Sequence, residues 1–237
     1  MDKTIGTNSE YMEGEMTTNR EAAREFEDSL GLDGCLIGVK YTNEPDPRAD
    51  RDRKLAACEA IGLVRGEHAV INLSAETCNC MGGKYYLGLA PVPKEQIIKE
   101  MVDVHKMFAS EQLARKFLDD VPPPSGRGDF VVVAPLSDMA GEPDLVLSVC
   151  NTRQANKIVS LLVYSGHQLS THNLVSSTCT SLASPLVTGE AHMNFITDHG
   201  RNRVPSFANY ELIIAMPFSK FKEALANIPH AGAVTKP

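Results

Sequence analysis

The sequence predicts one domain of the α/β or α+β class, with a mixed β-sheet flanked by helices. Strand-like apolar runs alternate with helix-like amphipathic segments along most of the chain. Several of these runs are apolar throughout, which is typical of strands buried on both faces. A chain of 237 residues with 43% hydrophobic residues and no internal repeat suits a single domain. We expect this domain over residues 17–228, with disordered tails over residues 1–16 and 229–237.

In the N-terminal half, amphipathic spacing predicts the helices and apolar runs predict the strands. The first helix should start at Thr18, because Thr18 and Glu21 form a capping-box pattern. The expected elements are a helix from Thr18 to Gly31, a strand over Cys35–Tyr41, a helix over Arg51–Arg65, a strand over His68–Leu73, and helices over Lys94–His105 and Ala109–Leu118.

In the C-terminal half, a Pro-rich connector at residues 122–126 precedes two strongly apolar runs. The expected elements are strands over Phe130–Pro135 and Leu145–Val149, a helix over Asn151–Ser165, a loop over Pro185–Glu190, a strand over Met193–Ile196, a polar turn over Asp198–Arg203, a strand over Tyr210–Met216, and a helix from Pro217 to Ile228.

Composition excludes several classes of function. The net charge is -7, no Lys/Arg cluster occurs, and aromatic residues make up 6% without any Trp, so we expect no nucleic-acid partner. No apolar run reaches the roughly 18–20 residues that span a bilayer, and the polar N-terminus does not resemble a signal peptide. The sequence therefore predicts a cytoplasmic protein without a membrane partner, with its cysteines reduced.

The segment Thr77–Lys84 stands out because it holds two of the 6 cysteines, Cys78 and Cys80, followed by Gly82 and Gly83. We expect the glycine pair to adopt positive φ and to present N–H groups to an anion or a sulfide. Cys-Asn-Cys spacing is too tight for a comfortable disulfide. A metal, a cluster or a reactive thiol is therefore predicted, although the segment also fits a simple turn after a strand.

Two metal hypotheses follow from the cysteines. The candidate ligands are Cys58, Cys78, Cys80 and Cys179, and a thiolate-rich, reducing setting favours an iron–sulfur cluster. Zinc is the alternative, since it also takes thiolates and histidines in a tetrahedron. In that case His172 or His199 could supply the fourth ligand.

Other classes of function remain open at this point. Cys80 could be the nucleophile of a cofactorless enzyme, with His172 or His199 as its base. The thiols could instead belong to a redox sensor or a binding module. The chain lacks the glycine-rich nucleotide motifs, the His-Glu-x-x-His helix and Gly-x-Ser-x-Gly, which excludes the common nucleotide-binding, metalloprotease and serine hydrolase classes.

The expected partner is a small-molecule ligand, and an anion is the candidate for it. A homo-oligomer is a candidate for the assembly of the protein. Polar residues at the ends of elements are where α/β proteins usually bind ligands. For Asn151 taken alone, a helix N-cap is the favoured interpretation. The candidate binding residues are Gly82, Gly83, Lys84, Asn151, Gln154 and Arg201, with Arg203 as the alternative to Arg201. Cys80, His199 and Arg201 are the candidate catalytic residues.

The order and spacing of short motifs over residues 24–225 resemble the archaeal cysteine-rich proteins, also classified as domain of unknown function 169. The motifs are Leu30-Gly31-Leu32, Ile37-Gly38-Val39-Lys40, Cys58-Glu59-Ala60, Cys80-Met81-Gly82-Gly83-Lys84-Tyr85-Tyr86-Leu87-Gly88, Ala134-Pro135-Leu136, Pro143-Asp144-Leu145-Val146, Asn151 and Gln154, Cys179 and Pro185, Gly200-Arg201, Glu211-Leu212, and Pro217.

The resemblance implies that Cys58, Cys80 and Cys179 belong together, and little chemistry beyond that. Some members of the family carry further cysteines near the position of Gly200, where this chain has Asp198 and His199. A four-thiolate site built from that region is therefore not expected, and Cys78 could supply the replacement.

Overall fold

An eight-stranded mixed sheet forms the centre of the protein, as seen in a computed structural model that describes residues 8–50, 53–170 and 175–235. Its strands are β1 (Ile37–Thr42), β2 (Ile71–Leu73), β3 (Phe130–Pro135), β4 (Leu145–Asn151), β5 (Leu169–Ser170), β6 (Val175–Ser176), β7 (Ala191–Ile196) and β8 (Glu211–Pro217).

The helices are α1 (Asn8–Leu30), α2 (Ala57–Glu67), α3 (Met81–Tyr86), α4 (Lys94–Lys99), α5 (Glu111–Asp120), α6 (Thr152–Tyr164), α7 (Thr180–Thr188), α8 (Asp198–Arg203), α9 (Phe218–Ala226) and α10 (Gly232–Thr235). A π-helical turn over Glu100–Val104 extends α4. The strands run in the order β2-β3-β1-β4-β8-β7-β5, and β6 also pairs with β7. All pairs are antiparallel except β5 and β6 on β7, so the predicted single domain with a mixed sheet is confirmed.

The central strands are buried on both faces, as their unbroken apolar runs predict. Along β3, Val131 and Val133 pack into one hydrophobic core, whereas Val132 and Ala134 pack into another. The first core also takes α2, α3, α4, α5 and α7, and the second takes α1, α6, α9 and α10. The protein therefore has three layers, and the cysteine segment lies on the first face of the sheet.

Parts of both predicted tails are helical. Helix α1 begins at Asn8, so residues 8–16 are helical, while residues 1–7 lie outside the described part of the chain. At the other end, Ala231 is buried in the second core and α10 follows it. The burial of Ala231 holds a segment against the domain that its position near the end of the sequence had predicted to be disordered.

Helix α2 starts at Ala57 rather than at Arg51, because the residues before it form a different contact. Leu55 makes a parallel bridge with Cys78, and the Glu59 carboxylate accepts the backbone N–H of Ala56, the N-cap of α2. Residues 51 and 52 lie outside the described residues. The predicted helix is therefore correct in its second half only.

Three segments predicted as turns or loops are helical. The Gly82–Gly83 pair lies in α3 and neither glycine has positive φ, the expected loop over residues 185–190 begins inside α7, and the expected polar turn over residues 198–203 is α8. Helix α7 continues through Pro185 because its neighbours are buried: Leu182 and Ala183 are both fully inaccessible. Burial of this apolar face outweighs the helix-breaking tendency of Pro.

Candidate thiol site and adjoining cavity

A pair of backbone hydrogen bonds pins the Cys78–Cys80 segment beside the start of α2. The N–H of Leu55 donates to Thr77 O, and the N–H of Asn79 donates to Leu55 O, each at 3.0 Å. Ahead of them, Thr77 Oγ1 accepts the N–H of Ser74 at 2.8 Å, closing a tight turn after β2. These local bonds bring Cys58, near the N-terminus of α2, close to the two cysteines of the segment.

Four thiols meet at this point, and we call Cys58, Cys78, Cys80 and Cys179 the thiol cluster. Cys58 lies in the first turn of α2, Cys80 is the N-cap of α3, and Cys179 directly precedes α7. The starts of three helices therefore converge on the cluster. Helix N-termini carry partial positive charge and unpaired N–H groups, both of which stabilise a thiolate.

Cys80 is the member of the cluster best suited to be a thiolate. Hydrogen bonds from the thiols of Cys179 and Cys78 hold its pKa far below the usual range, and the backbone N–H groups of Ala57 and Gly83 act in the same direction. The Gly83 N–H reaches Cys80 Sγ at 3.2 Å. Negative charge in the cluster therefore concentrates on this one sulfur.

The other three thiols are correspondingly neutral. The hydrogen bond to Cys80 and burial raise the pKa values of Cys78 and Cys179 well above normal. Burial, followed by the charge of Cys80, raises the pKa of Cys58 to about 11. The Cys80 thiolate is thus stabilised by neighbouring thiols and backbone N–H groups, which take the place of water molecules.

Gly83 allows this close packing. A Cβ atom added there would lie 2.8 Å from both Cys78 Sγ and Cys80 Sγ, whereas one added at Gly82 would meet nothing within 4 Å. Gly83 is needed for the close approach of α3 to the sulfurs. Gly82 is not needed for it, although it lines the neighbouring cavity.

A cavity of about 320 Å³ opens beside the thiol cluster. Cys58, Cys80 and Cys179 form part of its wall, whereas Cys78 lies behind them and is fully inaccessible. The remaining wall is largely apolar, with Tyr86, Ile97, Met101 and Met107, together with the polar residues Glu100, His105, Thr178, Asp198, His199 and Arg203. The three thiols that the family resemblance groups together are thus the three that face the cavity.

Two histidines share the polar part of the cavity wall. The rings of His105 and His199 pack with centroids 4.3 Å apart, and His105 Nε2 lies 3.4 Å from Glu100 Oε1. Burial, with smaller contributions from His105 and Arg203, lowers the pKa of His199, so its ring is neutral at pH 7. The π-helical turn ends at His105, and Lys106 next to it has φ of 52°. Irregular backbone of this kind is frequent at functional sites.

Two of the predicted binding residues lie away from the cavity wall. Arg201 donates to Asp198 Oδ1 at 3.0 Å and to Asn209 O at 3.1 Å, so its guanidinium is tied to its own helix and the following loop. Lys84 is half-buried, and its charge opposes the rise in the pKa of Cys78. Within the described residues, neither side chain lines the cavity.

Asn151 and Gln154 serve to begin a helix. Asn151 Oδ1 accepts the N–H of Gln154 at 3.0 Å, and Gln154 Oε1 accepts the N–H of Asn151 at 2.9 Å, a complete capping box at the start of α6. Gln154 also donates to Gly31 O and to Asp33 Oδ2. These bonds lie away from the thiol cluster, and the two residues join α6 to the end of α1.

The thiols contact one another through Cys80 and do not surround a common point. Within residues 8–50, 53–170 and 175–235, no group of three or more His, Cys, Asp or Glu side chains is arranged to hold an ion as it stands. The donor set itself suits a thiophilic ion, since it comprises four buried or half-buried sulfurs and two N–H groups on one of them. His172 lies outside the described residues.

Sequence patterns alone do not identify several residues of the cavity. Glu100, His105, Met101 and Met107 carry no spacing motif, and they reach the cavity only because α4 continues as a π-helical turn.

The two remaining cysteines lie elsewhere: Cys150 belongs to the second core, on the other face of the sheet, and the Cys35 thiol donates to Val64 O. Burial raises the pKa of Cys35 to about 11 and that of Cys150 to about 12.

Comparisons with known proteins agree with the resemblance seen in the sequence. The profile of a family described as uncharacterised ArCR, domain of unknown function 169, matches residues 5–227. An uncharacterised protein of Methanocaldococcus jannaschii, MJ0308, is 23% identical over 218 residues, which cover 89% of this chain and 94% of that protein. No solved structure gives a significant match.

Among the helices of the described residues, none has the length and apolar character needed to cross a bilayer.

Proposed function

The chain belongs to the family of uncharacterised ArCR proteins, domain of unknown function 169, and we propose that it binds a thiophilic metal ion at the thiol cluster and a small anionic molecule in the adjoining cavity. The observation that carries the proposal is that Cys58, Cys80 and Cys179 converge from three helix starts onto one wall of that cavity. Three protein ligands with a further position open to a cavity are typical of a reactive metal site.

The roles of the cysteines follow from their positions. Cys80 would be the first ligand, since it already carries the negative charge, and Cys58 and Cys179 would complete the set after losing their protons. Cys78 lies behind Cys80 and would act as a supporting thiol or as a fourth ligand. A bound ion would supply a Lewis acid at the cavity wall.

The contacts among the thiols favour a single ion, with zinc as the first candidate. Tetrahedral ligation at about 2.3 Å places sulfurs roughly 3.8 Å apart. Cys78 Sγ and Cys80 Sγ each lie 2.8 Å from the point where a Cβ atom on Gly83 would stand, so these two sulfurs are close enough to share one ion. An iron–sulfur cluster places iron and sulfide between its cysteines, so it requires a wider separation. The iron–sulfur cluster, which the sequence analysis favoured, therefore becomes the second candidate for the cofactor.

A second function uses Cys80 without a metal. The low pKa of Cys80 makes it a thiolate at pH 7, and it faces the cavity. These are the requirements for a nucleophile or a redox-sensing thiol. His199, neutral and on the same wall, would be the proton acceptor or donor for such an enzyme.

Metal analysis of protein purified without oxygen tests the proposal. We expect about one zinc or iron ion per chain in the unaltered protein. The bound metal should be lost in the variants Cys58→Ser, Cys80→Ser and Cys179→Ser. It should be partly retained in Cys78→Ser. Cys35→Ser and Cys150→Ala are the matched controls, because both thiols lie outside the cluster. A metal-free protein with reactive Cys80 would instead support the thiol enzyme or sensor.

A further inference from the structure

Among the described residues, Arg203 is the arginine of the cavity wall that has no carboxylate partner. It is exposed, it lines the cavity, and no ion pair joins it to any acidic side chain in the described part of the chain. Arg203 therefore places a positive charge on the wall of the cavity.

The other charged groups of the wall are already engaged. Glu100 faces His105 at 3.4 Å, and Asp198 is bound to Arg201 at 3.0 Å with its carboxylate almost fully exposed to solvent. Among the described residues of the wall, Arg203 is thus the cation that can bind one negative group, and a ligand in the cavity would place that group at the Arg203 end.

The inner surface of the cavity favours an apolar ligand body. Ile97 and Met101 are buried side chains from α4 and its π-helical turn, and Met107 is a partly buried side chain packed against the same core. The cavity volume of about 320 Å³ is at the lower end of the range for small-molecule sites. Methionine side chains adapt their shape to the ligands that they contact.

We infer that the cavity binds a small monocarboxylate, with its carboxylate on the Arg203 guanidinium and its hydrocarbon part against Ile97, Met101 and Met107. A guanidinium binds a carboxylate through two parallel hydrogen bonds, which suits this end of the cavity. The inference rests on the proposed function, because it specifies the anionic molecule expected beside the thiol cluster. It replaces Arg201, the arginine favoured by sequence, with Arg203.

Calorimetric titration with hexanoate and with hexanamide tests the inference, since the two probes differ in charge but hardly in shape. We expect hexanoate to bind at least about tenfold more tightly, as a charge-assisted hydrogen bond is stronger than a neutral one. The affinity should rise by about fourfold per methylene from butyrate to hexanoate, as each group becomes buried.

Two arginine variants in the same helix provide the matched comparison. Arg203→Gln should remove the preference for hexanoate over hexanamide, whereas Arg201→Gln should keep it, because Arg201 is bound to Asp198 and Asn209. Thermal unfolding of both variants checks that they fold. Equal affinity for the two probes in the unaltered protein, or unchanged preference in Arg203→Gln, would overturn the inference.

The two proposals fail in distinguishable ways. Metal content is measured on the same samples as carboxylate binding. Bound metal without carboxylate preference would overturn the ligand assignment and leave the metal centre standing. Carboxylate preference in a protein that binds no metal would support the ligand assignment and contradict the metal centre.

Discussion

Gly83 shows how one missing side chain permits the thiol cluster. Its position in α3 places the backbone N–H on Cys80 Sγ and leaves no room for a methyl group between Cys78 and Cys80. The sequence analysis treated Gly82 and Gly83 alike and expected positive φ at both. Neither glycine has positive φ in the structure. The distinction between them depends on packing, which a local pattern does not contain.

We predict opposite effects of alanine at the two glycines. Gly82→Ala should raise the free energy of unfolding by about 0.5–1 kcal/mol, because it improves helix propensity in open space. Gly83→Ala should lower it by roughly 1–3 kcal/mol and reduce metal content, since the new Cβ pushes the sulfurs apart. Chemical denaturation and metal analysis of both variants measure these effects. If Gly83→Ala keeps its stability and its metal, the close packing described here is not required.

At the scale of the element, the ends of helices carry most of the site. The starts of α2, α3 and α7 converge on Cys80, and each brings a cysteine to the same point. The start of α6 is different, since Asn151 and Gln154 satisfy each other there. A helix start can thus carry a residue of the candidate site or residues that only stabilise the helix, and reciprocal side-chain bonds such as those of Asn151 and Gln154 indicate the second case.

Replacing the cap of α6 should affect stability alone. We expect Asn151→Ala to lower the free energy of unfolding by about 0.5–2 kcal/mol, while metal content and hexanoate binding stay unchanged. Asn156→Ala is the control, because it makes the same chemical change at an exposed position inside α6. Loss of hexanoate binding in Asn151→Ala, at unchanged stability, would restore the ligand-binding role predicted from sequence.

The elements that sequence patterns predicted well are those whose pattern matches their burial. The runs at β3, β4 and β8 are largely apolar, and all three strands are covered on both faces. The elements predicted poorly depend on contacts between distant segments. Leu55 pairs with Cys78 instead of extending α2, and residues 198–203 form a helix that packs against α2.

At the scale of the whole molecule, the two faces of the sheet differ in what they carry: the thiol cluster and the cavity lie on the first face only. The second face, with α1, α6, α9 and α10, contains Cys150 but none of the thiol cluster. The first face holds the thiol cluster and, through α4 and α8, the cavity. The Cys-x-Cys segment drew attention to Cys78 and Cys80 in the sequence, whereas the grouping of Cys58 and Cys179 with Cys80 came from the family resemblance. The full cavity wall was not predictable, because Glu100, Met101 and His105 become neighbours of the thiols only in the folded chain.

X-ray absorption at the edge of the bound metal tests the central claim most directly, because it counts the sulfur atoms around the ion. For a zinc protein purified without oxygen, we predict a first shell of three or four sulfurs at about 2.3 Å, and Cys80→Ser should lose the metal and with it this sulfur shell. Cys150→Ala should leave the shell unchanged. A shell made of nitrogen and oxygen, or one that does not respond to Cys80→Ser, would contradict a metal centre at the thiol cluster.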